Sequence, residues 1–100
     1  MIESPRYQWS VFAIDLASAP DSNRGRRRPV LVVSRESANE ALPVVTVLPL
    51  TTWRKGRRIY PNEVLLPSGS GGLKRDAIAM AHQTRTVAKQ RLKAPMGTIE

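Results

Sequence analysis

The 100-residue chain has no cysteine, which removes disulfides and thiolate chemistry and leaves a cytoplasmic setting as the natural expectation. It has one histidine, His82, so no two-histidine acid–base pair can form within one chain. No His, Asp and Glu residues cluster at metal-ligand spacing, and neither a metal nor a cofactor is expected. A Gly-x-Ser-x-Gly elbow is missing, and with it the parts for acyl transfer. The glycine-rich stretch at 68–72 is not followed by Gly-Lys-Ser/Thr, so it is no phosphate-cradling nucleotide loop. No apolar run approaches the roughly 20 residues of a membrane span, and the first residues hold no apolar signal region. An unexported, soluble protein with no membrane partner is expected.

Acidic residues are few as well. Eight Asp and Glu stand against sixteen Lys and Arg, a formal net charge of +8. Such an excess asks for a polyanionic partner. The cations clump at Arg24 and 26–28, at Arg54, Lys55, Arg57 and Arg58, at Lys74 and Arg75, and at Arg85, Lys89, Arg91 and Lys93. Each clump falls at an expected strand end or loop, where a nucleic-acid surface is built. None has the amphipathic helical period of a membrane-surface helix. One hundred residues, 41% of them hydrophobic, suffice for a single domain, 1–100, and not for two. Eight prolines and six glycines spread along the chain point to short strands joined by turns.

The most informative stretch runs from Arg24 to Ser34, where a cationic loop feeds an apolar, mostly β-branched run, Val30 to Val33. Such a run suits a strand covered on both faces. Pro29 has no N–H for a ladder and belongs at the strand's first residue, which also holds Arg28 extended. A guanidinium fixed at the mouth of a strand offers a fork of donors to a phosphate or carboxylate. The plainer alternative is a solvated loop that keeps the protein soluble.

Ser10 to Leu16 is expected as the first strand, with Phe12 and Ile14 in the core, and Ala17 to Arg28 as a long polar loop. Helical turns are expected over 35–42, stopped by Pro43. Val44 to Leu50 is the third strand, with Thr51 and Thr52 at its exit, and Trp53 to Tyr60 is a basic loop. Asn62 to Leu66 is the fourth strand, and 68–72 a flexible connection. Ala77 to Thr86 is the longest strand expected, with a close approach on its alanine face. A turn over 88–92 and a last strand over 96–99 complete a mainly β fold, a small, strongly bent sheet or barrel of five to six antiparallel strands.

What remains for chemistry is arginine, threonine, lysine and amide side chains at strand ends. Such a set stabilises a phosphorane-like transition state without metal, by aiming positive charge and donors at non-bridging oxygens. RNA suits it, since its own 2′-hydroxyl can be the nucleophile. Three segments, Arg-Arg-Pro-Val-Leu-Val-Val-Ser at 27–34, Leu-Pro-Leu-Thr-Thr at 48–52 and Gln-Thr-Arg-Thr-Val-Ala-Lys-Gln-Arg-Leu at 83–92, together resemble the signature segments of the MazF/PemK (CcdB-like) toxins. The resemblance runs from about Phe12 to Ile99. It implies a homodimeric SH3-like barrel of a type II toxin–antitoxin system, a metal-independent endoribonuclease that cuts single-stranded RNA at short sequences and is held inactive by an antitoxin. It also implies that Arg28 and Thr51 are the catalytic pair.

Arginine hardly deprotonates, so Arg28 is expected to stabilise the phosphorane and at most to donate to the leaving 5′-oxygen. Thr51 donates to the same phosphate, or else merely caps a turn. Arg26, Arg27, Thr52, Arg54, Lys55, Gln83 and Arg85 are the candidate RNA-binding residues, Gln83 and Arg85 by alternating onto one strand face. His82, on the face of Ile78 and Met80, reads as a partly buried structural residue. Trp53 and Tyr60 either stack on bases or pack.

Three departures from the family pattern stand out. Asp21 and Asn23 replace a glycine and an acidic residue of the long loop, Trp9 and Ser10 replace a glycine and an acidic residue before the first strand, and the family's C-terminal helix is expected to be absent. Two rivals remain, a CcdB-like poison of DNA gyrase and a basic RNA-binding barrel without catalysis.

Overall fold

A computed structural model describes residues 6–15 and 27–99. Seven strands carry the fold: β1 Ser10–Asp15, β2 Arg27–Val32, β3 Val44–Thr52, β4 Glu63–Leu66, β5 Ala77–Met80, β6 Arg85–Ala88 and β7 Leu92–Thr98. One short helix, α1 Glu36–Ala41, and single 3-10 turns at Ser70–Gly72, Ala81–Gln83 and Lys89–Arg91 join them. The strands form one antiparallel sheet in the order β4-β5-β3-β2-β1-β7, with β6 also paired to β3. The mainly β expectation holds, with one strand more than the upper count. Among the described residues no helix is long and apolar enough to cross a membrane.

Both faces of the central strands are covered, as the unbroken apolar run of β2 requires. Val11, Leu31, Leu50, Leu66, Leu73, Ala77 and Ala79 pack on one side. Phe12, Ile14, Val30, Val32, Val45, Val47 and Val87 pack on the other. Of the expected alanine face, Ala77 and Ala79 are buried, while Ala81 is exposed.

The expected Ala77–Thr86 strand is broken in two. β3 pairs with β6 at Val47↔Arg85 and with β5 at Leu50↔Ala79, so three residues along β3 face six along the partner. The extra residues are the 3-10 turn Ala81–Gln83. It sits opposite Leu48 and Pro49, where proline has no N–H to continue a ladder. Thr84 holds the turn by donating its hydroxyl to the Ala81 carbonyl at 2.6 Å. The break also corrects the reading of His82, which is exposed rather than partly buried.

The 68–72 connection is packed rather than flexible. Gly72 has φ 78°, and a Cβ there would lie 2.0 Å from the Met96 carbonyl oxygen, while a Cβ on Gly97 would lie 2.6 Å from the Gly71 carbonyl carbon. Backbone therefore meets backbone, and only glycine permits it. The contact brings the chain between β4 and β5 against β7 and curls the sheet towards a barrel, although β4 and β7 themselves are not paired.

At the start of β1 the left-handed position that glycine would suit is filled by Trp9, φ 68°, an outlier for a bulky residue. Backbone bonds hold it there: Trp9 N–H donates to the Val32 carbonyl at 2.8 Å and Ile99 N–H to the Trp9 carbonyl at 2.7 Å. The expected helical turns appear as α1, which seats Glu36 beneath the backbone N–H groups of Tyr7 and Gln8, at 3.0 Å and 2.8 Å. Burial opposes ionisation of Glu36, but those two donors, the Asn39 amide and the charge of Arg6 together hold its carboxyl below the usual range.

Candidate active site

Side chains of a strand alternate, so every second residue of β2, β3 and β6 shares a face. On β2 that set is Val32, Val30 and Arg28; on β3 it is Val45, Val47, Pro49 and Thr51; on β6 it is Val87 and Arg85. The three strands are locked in register by Val30↔Pro49, Val32↔Val47 and Val47↔Arg85. Each therefore runs from buried valine to a polar end. The β2–β3 ladder ends at Val30↔Pro49, and beyond it Arg28 of β2 and Thr51 of β3 reach the same groove. Two residues more than twenty apart in sequence come to one groove because Val30, Val32 and Val47 need burial on that face.

The polar ends meet in a groove of about 180 Å³. Arg28, Thr51, Gln83 and Arg85 line it, over an apolar bed that includes Ile14, Val30, Val47 and Met80. Arg28 is a member of β2, not a residue of the preceding loop as the sequence suggested, and Thr51 lies within β3 rather than at its exit. Gln83 and Arg85 do share the site, but through the Ala81–Gln83 turn and not by alternation along one strand. Ile14 and Met80 carried no sequence signal beyond being apolar. Arg28 and Arg85 are exposed, and no carboxylate among the described residues lies within ion-pair distance of either. Their forks of donors are available to an anion.

The other expected RNA-binding residues separate. Arg26 lies outside the described residues, as do Asp21, Asn23 and Arg24. Arg27 is exposed and stands opposite Asp15 in the backbone register of β1 and β2, on the alternate face of β2 from Arg28. Thr52 lines a neighbouring depression instead of the groove. Arg54 and Lys55 are exposed on the loop after β3 and line neither.

Several cations of the basic clumps have structural work. The Arg57 guanidinium donates to both carboxylate oxygens of Glu63, at 3.0 Å and 3.1 Å. That hydrogen bonding, with the Tyr60 backbone N–H, pulls the buried Glu63 carboxyl down to about 2 and raises Arg57. Arg58 lies over the Tyr60 ring, 5.3 Å from its centre. Lys89 donates to the Asn39 carbonyl at 2.6 Å and Arg91 to the Asp15 carbonyl at 2.7 Å. Trp53, half-buried, donates its indole N–H to the Arg57 carbonyl at 3.0 Å, so it packs and orders the loop. Tyr60 stays half exposed.

The groove offers two guanidinium groups, a hydroxyl and a carboxamide. Its described side chains include no carboxylate and no histidine. These described groups suit the holding and stabilising of an anion.

The family model described as PemK-like, MazF-like toxin of type II toxin-antitoxin system matches residues 7–100. Endoribonuclease MazF9 of Mycobacterium tuberculosis is 35% identical over 94 residues, covering 89% of this chain and 78% of that protein. Endoribonuclease EndoA of Bacillus subtilis is 32% identical over 82 residues, covering 82% of this chain and 70% of that protein. Among solved structures, the Mycobacterium tuberculosis toxin MazF-mt6 superposes with a TM-score of 0.71 at 25% identity, covering 91% of this chain and 80% of that one. A mycobacterial endoribonuclease in complex with its cognate antitoxin superposes with a TM-score of 0.73 at 24% identity, covering 97% and 81%, a likeness of fold.

Proposed function

The chain belongs to the PemK-like, MazF-like toxin family of type II toxin–antitoxin systems, and from that premise we propose that it is an endoribonuclease whose reaction centre is the groove between Arg28 and Thr51. The observation that carries the reading is that Arg28, Thr51, Gln83 and Arg85 line one groove, with both guanidinium groups exposed. A phosphodiester of single-stranded RNA sits there with its non-bridging oxygens towards the Arg28 guanidinium and the Thr51 hydroxyl. The 2′-hydroxyl gives its proton to solvent water and attacks phosphorus, and the bond to the 5′-oxygen breaks as that oxygen takes a proton that solvent restores to the donor. The products are a 2′,3′-cyclic phosphate and a 5′-hydroxyl. Fixed donors that bind the phosphorane better than the diester lower the barrier, and Arg28 is the donor suited to the leaving oxygen. Gln83 and Arg85 hold neighbouring bases or phosphates, which selects a short sequence.

The reaction as written uses no metal. The test is cleavage of a long transcript by the purified protein in EDTA, with the termini mapped: cyclic phosphate and 5′-hydroxyl ends support the reading, and strict dependence on added magnesium sinks it. The same assay separates it from a gyrase poison and from a barrel that only binds RNA.

Acting as a toxin, the protein requires a partner that silences it. The partner we infer is an acidic antitoxin segment laid near Arg28 and Thr51 of a homodimer, competing with RNA for one cationic surface in the cytoplasm. Charge complementarity supports this, since +8 on 100 residues steers an acidic, initially disordered peptide quickly. Titrating RNA-loaded protein with such a peptide decides it. Binding without displacement of RNA would mean separate sites.

A further inference from the structure

Next to the groove lies a second depression, about 240 Å³, and the two share Pro29 and Thr51 as a common wall. Its bed is apolar, made by Leu73, Ala77 and the exposed Met96. Its rim is polar and cationic, made by Thr52, Lys74 and Arg75, all exposed. Neither Lys74 nor Arg75 forms an ion pair among the described residues. The nearest carboxylate in sequence, Asp76, is instead turned to accept the Ser68 backbone N–H at 2.8 Å.

An apolar bed with a cationic rim is the chemistry of a nucleotide site: a base lies on the flat apolar surface while its phosphate meets the cations. At 240 Å³ and open to solvent, the depression falls below the ~300 Å³ at which small-molecule pockets begin, which suits one unstacked base of a longer strand better than a free metabolite. Met96 is a soft, adaptable surface for a base of any shape. Its place is fixed by the contact of Gly72 with the Met96–Gly97 backbone, which locks β7 against the residues leading into Leu73.

Resting on the endoribonuclease reading, we propose that this depression is a second nucleotide subsite, in which Lys74 and Arg75 hold the phosphate flanking the scissile one, so that RNA crosses the Pro29–Thr51 wall from one hollow to the other. Pro29 is a suitable crossing point, because it presents no N–H and does not yield. Lys74 and Arg75 bind the strand on one side of the cut and take no part in the chemical step.

The test uses the cleavage sequence found on a long transcript, placed in three oligonucleotides: one trimmed to the shortest length that the unmodified protein still cuts, one extended from it by four nucleotides on the 5′ side, and one extended by four on the 3′ side. The variant carries Lys74→Ala and Arg75→Ala, both exposed positions. For one extended substrate, and not for the unextended one, KM should rise about 10-fold with kcat unchanged. The log–log salt slope for that substrate should become shallower by about 0.7, the value for one phosphate. Equal KM values for variant and unmodified protein on both extended substrates would overturn the subsite. So would a fall in kcat on all three together with a changed oligomeric state, which would assign the depression to a protein contact. Failure of the unmodified protein to cut any RNA is a different outcome, and removes the endoribonuclease reading itself.

Discussion

Arg28 is exposed and its backbone is held by β1, so replacing it should change chemistry without changing the fold. Arg28→Ala is expected to lower kcat/KM for RNA by about 10² or more, the cost of one oxyanion donor, while its melting temperature stays within ~2 °C of the unmodified protein. Full activity in that variant would remove Arg28 from the site. The identity of this arginine was legible in the sequence, because Pro29 and the valine run after it announce a strand. Its partner was legible only by resemblance, since nothing local says which residue of β3 shares a groove with Arg28; the fold brings Thr51 there.

Glu63 supplies a second residue-scale outcome. Its folded carboxyl is held near 2 against an ordinary value of 4.5, first by the Arg57 side chain and then by the Tyr60 N–H. A depressed carboxylate stabilises the folded state in full above the ordinary value, and that contribution is lost as pH falls towards the folded one. The melting temperature should therefore decline between about pH 4.5 and about pH 2. Glu63→Gln should flatten that decline and lower stability near neutral pH. An unchanged profile in Glu63→Gln would show that the pair contributes nothing.

At the scale of elements, the glycines of the Ser70–Gly72 turn are the most demanding. Gly72→Ala combines a positive φ with a Cβ 2.0 Å from the Met96 carbonyl oxygen, and is expected to lower the melting temperature by more than about 10 °C. Gly56→Ala has the strained φ, 91°, but nothing within 4 Å, and should cost only about 1–2 kcal/mol. Similar losses for the two in thermal denaturation would mean that the contact with β7 is not what makes Gly72 necessary. A glycine cluster in sequence reads equally as slack or as close packing, and the partner backbone that decides between them is more than twenty residues away.

The same distance effect broke the expected 77–86 strand. Its composition suits one continuous strand, and the interruption is imposed from outside, by Pro49 on the neighbouring β3. Thus β1, β3, β4 and α1 were legible from local pattern, whereas the turn that turns Gln83 and Arg85 into the groove was not.

At the scale of the molecule, the positive charge divides into cations that build the structure and cations that face solvent. Arg57 is bonded to Glu63, and Lys89 and Arg91 to backbone carbonyls. Arg54 and Lys55 have no such partner among the described residues. The double variant Arg54→Ala, Lys55→Ala should keep its melting temperature and bind every RNA sequence more weakly, with a log–log salt slope shallower by up to about 1.4. Arg57→Ala should instead lower the melting temperature. A salt slope near zero for the unmodified protein would mean that the net charge serves something other than RNA. The sequence showed how much charge there is, and the fold shows which part of it is available.

β1 is held on one side by β2 and on the other by β7, which pairs Ser10 with Thr98 and Ile14 with Leu92. The strand beside Arg28 is thus completed by residues about eighty positions further along. Pairings of such sequence separation form late and slowly, and a chain emerging from the ribosome at ~5–20 residues per second spends seconds with β1 half-paired. An enzyme that attacks RNA is therefore kept from maturity beside the ribosome that is making it until β7 has been synthesised and docked. Nascent chains stalled before residue 92 should be digested readily by protease and leave RNA intact, while chains extended well beyond Thr98 should resist digestion; equal protease resistance at both lengths would show that β1 does not wait.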